Sequence, residues 1–438
     1  MNWASSSRVD RPVSAPLSRR VRATARERAI VAMRRLSSQL SGGAFRLEPP
    51  DGDAIGFGQG EPAFTIRVTR PAGLDALASF DALSVAQSVI AGDIDLEGDL
   101  ISALAYQEHL GDFHPGILLW RHLQPLLLGR PRLNPTWIAL HYDENNSQLL
   151  AADAIWHTYT PGVYASDDEA LEPAAERKLT LAFEALGLHS GHHLLDIGCG
   201  WGGMLRYSAQ RGVRVTGITL SRHQKEFVQR RIVEERLPAE VCYQDFFTYR
   251  PTLRFDAISM MGVIEDLSDY RTVMWSLSRW LKPGGRIYLD FAAERRRGST
   301  HSFITERIWP GKFRMVFMPE FMEAVRESPL ELMRVDNDRR NYYLWSRGMY
   351  ERWMRGRKGI VAEYGEPLWR TFLLLFAGVA AMMNRPSHSA TAYRVVLELP
   401  SDSSGSFLTS RRTAALDRVR RVVRAARDRG LDLLTTYR

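Results

Sequence analysis

From His193 to Asp290, apolar runs of strand length alternate with helical patterns, and most runs end in glycine or polar residues. His193-Leu194-Leu195-Asp196-Ile197 is compatible with a buried strand. It breaks into Gly198-Cys199-Gly200-Trp201-Gly202-Gly203, and a helical pattern begins at Met204. Further strands are predicted over 214–220, 240–244, 255–260 and 286–290, the last entered through Leu281-Lys282-Pro283-Gly284-Gly285. Strands interleaved with helices read as an open parallel α/β sheet. Residues 395–399 are expected to add its last, antiparallel strand.

Outside this block the pattern changes three times. Residues 1–45 read as a basic arm, partly helical or disordered. Residues 46–132 carry their own strand-like alternation at Ala63-Phe64-Thr65-Ile66-Arg67-Val68 and helical patches through Leu104 and Ala105, ending at a Pro- and Arg-rich loop near Arg130-Pro131-Arg132. The main domain spans 133–400. Within it, about 295–385 becomes long and aromatic-rich and reads as a helical insertion over the strand ends. Its most apolar run, 372–383, is too short to span a bilayer and suits a core helix or the wall of an oily pocket. Residues 401–438 hold a Ser-rich linker and a helical stripe of Leu416, Val419, Val422, Val423 and Ala426, with Arg418, Arg421, Arg424 and Arg427 alongside.

Charge sharpens the picture at the ends. The chain of 438 residues carries a net +8, yet nine Arg fall in 1–40 and nine more in 411–438, which leaves a mildly acidic middle. Such ends suit an anionic membrane surface, and the last helix resembles an interfacial one or a tail packed on the body. Nucleic acid is disfavoured, because no recognition fold or aromatic-basic strand pattern is visible. The two cysteines, Cys199 and Cys242, both fall in the α/β block. That argues against a disulfide scaffold or a Cys-based metal site and for a reducing compartment. The Arg-rich N-terminus lacks the continuous apolar core of a signal peptide.

The glycine turn after the first strand lets a ligand approach the backbone, and the following helix start suits a carboxylate or phosphate. A dinucleotide fold would place an acid near the end of the second strand. Here that strand ends in Thr219-Leu220-Ser221, with Gln224 beyond.

On several separated motifs the chain resembles the cyclopropane-fatty-acyl-phospholipid synthase family, including its mycolic-acid relatives. These are His141-Tyr142-Asp143, the stretch 195–203, Gly217-Ile218-Thr219-Leu220-Ser221 with Gln224, Gln244-Asp245, Leu281-Lys282-Pro283 and Tyr350-Glu351-Arg352. Gly92-Asp93-Ile94-Asp95-Leu96-Glu97-Gly98 is similar to the family's N-terminal lipid-associated domain. The resemblance implies a Rossmann-like S-adenosylmethionine (SAM) methyltransferase sheet with a smaller N-terminal α+β domain. It implies methyl transfer to the cis double bond of an unsaturated phospholipid acyl chain, at the inner face of the cytoplasmic membrane, with a homodimer possible. Tyr159, Thr160, Asp196, Gly198, Gly200, Thr219, Leu220, Gln224, Asp245 and Phe246 should then bind the cofactor. Backbone amides of the glycine turn can receive the methionine carboxylate, Gln224 the ribose hydroxyls, and Asp245 the adenine amino group.

Family members hold a bicarbonate base with a Cys, a Glu, a His, an Ile backbone and a Tyr. Glu265 and Tyr342 stand at the Glu and Tyr positions. The Cys, His and Ile positions read Pro161, Asp290 and Ala292, and a later Cys falls near Val379. Two anion-holding side chains are missing, and Asp290 would repel the ion, which puts bicarbonate in doubt. The expectation is that Asp290 or Glu265 replaces it as an intrinsic base, with Tyr342 stabilising a carbocation; an Asp290 bonded to a nearby Arg such as Arg295 is the competing reading. Trp309, Phe313, Phe317, Phe321 and Trp345 would wall an acyl channel or form plain core. The alternative functions are a methyltransferase of a small soluble nucleophile and an inactive lipid-binding homologue.

Overall fold

A computed structural model of the chain describes residues 23–39, 43–112, 114, 116, 155–267, 269–296, 302–308 and 314–402. The expectations placed on Arg130-Pro131-Arg132, His141, Tyr142, Trp309, Phe313 and the stripe from Leu416 to Arg427 lie outside these residues.

The N-terminal unit runs α1 (Ala25–Ser38), β1 (Phe45–Glu48), β2 (Ile55–Phe57), β3 (Phe64–Val68), α2 (Pro71–Ser79), α3 (Ala82–Ala91), β4 (Ile94–Gly98) and α4 (Leu100–Leu104). Its sheet has the order β2-β1-β3-β4, with β1 and β3 parallel. Along β3, Phe64, Ile66 and Val68 alternate inward, as the period of two requires. The basic-arm reading of 1–45 needs correction over α1. This helix is part of the unit's core, because Ala29, Ala32, Met33 and Leu36 form a buried stripe at helical spacing among the arginines. Thr24 and Glu27 close a capping box at its start.

The main unit runs α5 (Leu171–Ala185), β5 (His193–Ile197), α6 (Gly203–Ala209), β6 (Arg214–Thr219), α7 (Arg222–Glu234), β7 (Ala239–Tyr243), β8 (Phe255–Met261), α8 (Tyr270–Trp280) and β9 (Leu281–Glu294). It continues with β10 (Val316–Phe317), α9 (Met318–Arg326), β11 (Glu331–Asn337), α10 (Arg339–Arg355), α11 (Arg357–Tyr364), α12 (Glu366–Met383) and β12 (Ala390–Glu398). The sheet order is β11-β12-β9-β8-β5-β6-β7. Strands β5 to β9 are parallel, and β12 is antiparallel to both β9 and β11. This is a Rossmann-like α/β fold. Its order reverses at β5, and the crevice beyond the ends of β5, β6 and β8 is where such sheets bind ligands. Strand β5 is buried throughout. Each of its Leu and Ile side chains contributes roughly 1.5–3 kcal/mol of burial.

The insertion is not wholly helical. Strands β10 and β11 belong to the sheet, with α9 between them, and among the described residues α10 to α12 and the short turn Ile304–Ile308 stand over the strand ends. Strand β11 escaped the sequence reading because it is an edge strand, mostly exposed, with no apolar alternation. Phe321 is core rather than channel wall, packed on Phe291 and Tyr270. Helix α12 is long and apolar enough to cross a membrane by composition, but most of it is buried between α10 and the N-terminal unit. Arg370 on α12 ties the two units together. It donates to the Val89 and Ile94 carbonyls and pairs with Asp95 at 2.7 Å.

Candidate active site

The crevice beyond β5, β6 and β8 is a cavity, and all ten residues assigned to the cofactor line it. Its floor is the glycine turn. Gly198 has φ +65°, and a Cβ there would lie 2.3 Å from Val263 Cγ2. Gly200 has φ +53°. Both conformations are open to glycine at little steric cost. Gly198→Ala should therefore displace Val263 or the turn and weaken SAM binding at least about 10-fold by calorimetry. Unchanged affinity would show that the turn does not shape the cofactor site.

Around that floor, side chains are held by their own hydrogen bonds. Thr219 Oγ1 donates to Gln224 Oε1 at 2.8 Å, so the Gln224 carboxamide offers the cavity its NH2 group. Asp245 Oδ1 accepts from the amides of Phe247 and Thr248, which leaves Oδ2 for a ligand. Asp196 Oδ1 accepts from Ser259 Oγ at 2.6 Å, whereas Oδ2 is buried with no partner among the described residues. Burial raises the Asp196 carboxyl to about 7. An unsatisfied buried carboxylate oxygen calls for a donor or a cation. An amino group beside a sulfonium, as SAM carries, meets that need. The residues present fit the cofactor.

A second cavity joins the first through Tyr159, Thr160, Gly262 and Asp266, which line both. Its walls are almost wholly apolar: Ile304, Met315, Trp345, Leu375, Phe376 and Met382 among them. Glu265, Tyr342, Pro161, Ala292 and Val379 meet here, although they are far apart in sequence. Glu265 sits on the turn Ile264–Asp266 after β8 and accepts from the Ala292 amide at 2.8 Å through Oε1. Its Oε2 is buried and without a partner among the described residues. Burial raises the Glu265 carboxyl to about 8 and the Asp266 carboxyl to about 7, and lifts the Tyr342 phenol well above its ordinary range. Trp345 stands edge-on to Tyr159, Tyr342 and Phe376.

Asp290 requires correction as a candidate base. It lines neither cavity; it is buried and pairs with Lys178 at 2.9 Å. Lys178 also donates to Thr160 Oγ1, so the pair braces the wall shared by both cavities. The salt-bridged reading of Asp290 thus holds, with Lys178 as its cation rather than Arg295, which instead donates to the Pro386 carbonyl. Lys178 was missed. Its signal was a lysine on the apolar face of α5 with Ala174, Ala175, Leu179 and Ala182. Among the described residues, two of the positions aligned with the bicarbonate site do not fit the ion. Pro161 has no N–H, and the Ala292 amide is taken by Glu265.

A "Probable fatty acid methyltransferase" of Mycobacterium tuberculosis is 31% identical to the chain over 277 residues, 61% of this chain and 64% of its own length. A "Sphingolipid C9-methyltransferase" of Komagataella phaffii is 25% identical over 333 residues, 70% of this chain and 67% of its own. The chain thus spans about two thirds of the length of these curated relatives. The cyclopropane synthase MmaA2 from Mycobacterium tuberculosis shares the fold, with a TM-score of 0.56 at 24% identity over 60% of this chain and 97% of that one. The family description "Mycolic acid cyclopropane synthetase" matches residues 132–390, more than half of the sequence and the whole of the site just described, and the chain belongs to that family.

Proposed function

We propose that the protein transfers the methyl group of SAM to a double-bond carbon of an unsaturated lipid acyl chain, giving a cyclopropane or a methylene- or methyl-branched product. One observation carries this reading: a polar cavity, in which Asp196 Oδ2 has no partner among the described residues, shares a wall with an oily cavity that holds the buried, half-satisfied carboxyl group of Glu265. A soluble amine would gain little from walls of Leu375, Phe376 and Met382, which supports a lipid over a small nucleophile. The names of the two curated relatives, one a fatty acid and one a sphingolipid methyltransferase, support the same substrate class.

Bound in the first cavity, SAM supplies an electrophilic methyl group on a sulfonium. The chain's own residues do the rest. The apolar walls exclude water, which would otherwise capture a carbocation formed on the acyl chain. The faces of Tyr342, Trp345 and Phe376 stabilise that cation. Glu265 Oε2 takes the proton. Loss from the added methyl closes a three-membered ring, and loss from an adjacent chain carbon leaves a branched alkene. Work at the inner face of the cytoplasmic membrane, with basic segments on anionic lipid, belongs to the same proposal.

Incubation with a monounsaturated phospholipid and methyl-labelled SAM should add one labelled CH2 unit to the acyl chain by mass spectrometry. Label found only in soluble products would overturn the reading. Filling the second cavity with Val379→Trp should lower lipid methylation at least about 10-fold and leave SAM affinity within about two-fold. An equal loss of both would mean that the two cavities do not have separate ligands.

A further inference from the structure

The oily cavity does not end at α12. A third cavity shares Ile304, Leu375, Val379 and Met382 with it and opens between the two units, where Gln107 and Leu110 face α12. The outer part of this passage is lined by His388 and Ser389, from the turn before β12. Several arginines meet that turn, some through their side chains and some through their backbone. Arg295 donates from its amide to Ser389 O and from its side chain to Pro386 O at 2.7 Å. The Arg296 amide donates to Ser389 Oγ. Arg339 donates to the carbonyls of Arg385 and His388 at 2.6 and 3.2 Å. Arg385 donates to the Ala105 carbonyl across the unit boundary.

The cluster carries surplus charge. Arg385 is matched by Glu108 at 2.5 Å, and Asp112 accepts from the Ser302 amide beside His114. Arg295, Arg296 and Arg339 have no carboxylate within ion-pair distance among the described residues, and Arg295 and Arg296 are exposed. Burial above all, and then the neighbouring Arg295, lower the Arg339 pKa. Carbonyl hydrogen bonds hold the Arg295 and Arg339 forks in place, so an anion would meet donors already oriented.

We infer that Arg295 and Arg339, at the outer end of the apolar passage, bind the phosphate of a glycerophospholipid whose acyl chain lies in that passage. This rests on the reading of the oily cavity as an acyl site. It adds that the headgroup phosphate, and not the chain alone, selects the substrate.

The test compares phosphatidylglycerol with diacylglycerol of identical unsaturated chains in neutral detergent micelles, using wild type and Arg295→Gln/Arg339→Gln. Wild type should favour the phospholipid at least about 10-fold in kcat/KM. The variant should bring that ratio within about two-fold while turnover on diacylglycerol stays unchanged. No preference in wild type, or the same preference in the variant, overturns the inference. Methylation of neither lipid defeats the acyl-site reading instead; binding of short-chain phosphatidylglycerol, measured by calorimetry, then decides the headgroup site alone, and equal or absent binding in the two proteins overturns it. Inorganic phosphate that competes as well as the lipid headgroup marks a free-anion site and also overturns it. Should the double variant fail to fold by circular dichroism, exposed Arg295→Gln alone should lower the preference at least about three-fold, and no change there counts against the inference.

Discussion

Glu265→Gln should lower lipid methylation by about 10²–10⁴-fold and leave SAM affinity nearly unchanged. The substitution keeps the shape and the acceptor that the Ala292 amide uses, and removes only the capacity to take a proton at Oε2. The pH dependence gives the sharper test. With burial holding the Glu265 carboxyl at about 8, the group is mostly protonated at neutral pH and gains basicity only as pH rises. Turnover should therefore climb towards a plateau above about pH 8, and a bound sulfonium should shift the midpoint lower by favouring the carboxylate. The Gln variant should show no such limb. Stability runs the opposite way. A carboxyl whose folded pKa lies above its ordinary 4.5 contributes fully below that value, and the contribution is lost as pH rises through about 8. Urea titrations of the ligand-free protein should show stability falling across that window, less steeply in Glu265→Gln. A wild-type rate independent of pH from 6 to 9 would remove Glu265 as the base.

Lys178→Met should destabilise the protein by about 3–5 kcal/mol, and Asp290→Ala by a similar amount. Each change strands a buried charge, since both side chains are almost fully covered and each is the other's ion-pair partner. The double variant Lys178→Met/Asp290→Leu should recover most of the loss, because a buried pair replaced by apolar groups of similar volume is often neutral. Denaturant unfolding measures this directly. It also separates structure from catalysis: if Asp290 only braces the wall through Lys178 and Thr160, the double variant should regain activity together with stability. A stable but inactive double variant would return the Lys178–Asp290 pair, whose lysine lines the cofactor cavity, to the chemistry.

Much of the site could be read in the chain because the glycine turn and the strand ends are local features. Gly198, Thr219, Gln224 and Asp245 come from consecutive β–turn–helix units, and the parallel sheet delivers such turns to one edge. The positions aligned with the family's anion site also meet in one cavity, except for Asp290. That residue sits on β9, where a strand position decides only which face a side chain takes, not which cation waits there. Lys178 arrives from α5, over 100 positions earlier. Helix α1 was hidden for a different reason: its arginines dominate composition, while four small or apolar residues at helical spacing decide its burial.

By itself the sequence determined the alternation of strands and helices from β5 to β9, the glycine cradle and the carboxyl groups available for chemistry, because these follow from short-range periodicity and turn geometry. Tertiary structure decided which of two acidic residues stands over the oily cavity and which is neutralised behind its wall. It also decided that an edge strand runs through the insertion, and that a passage lies between the units with Arg295 and Arg339, unmatched by a carboxylate among the described residues, near its mouth. Burial and ion pairing set the state of a carboxyl group, and both depend on neighbours brought in from distant parts of the chain.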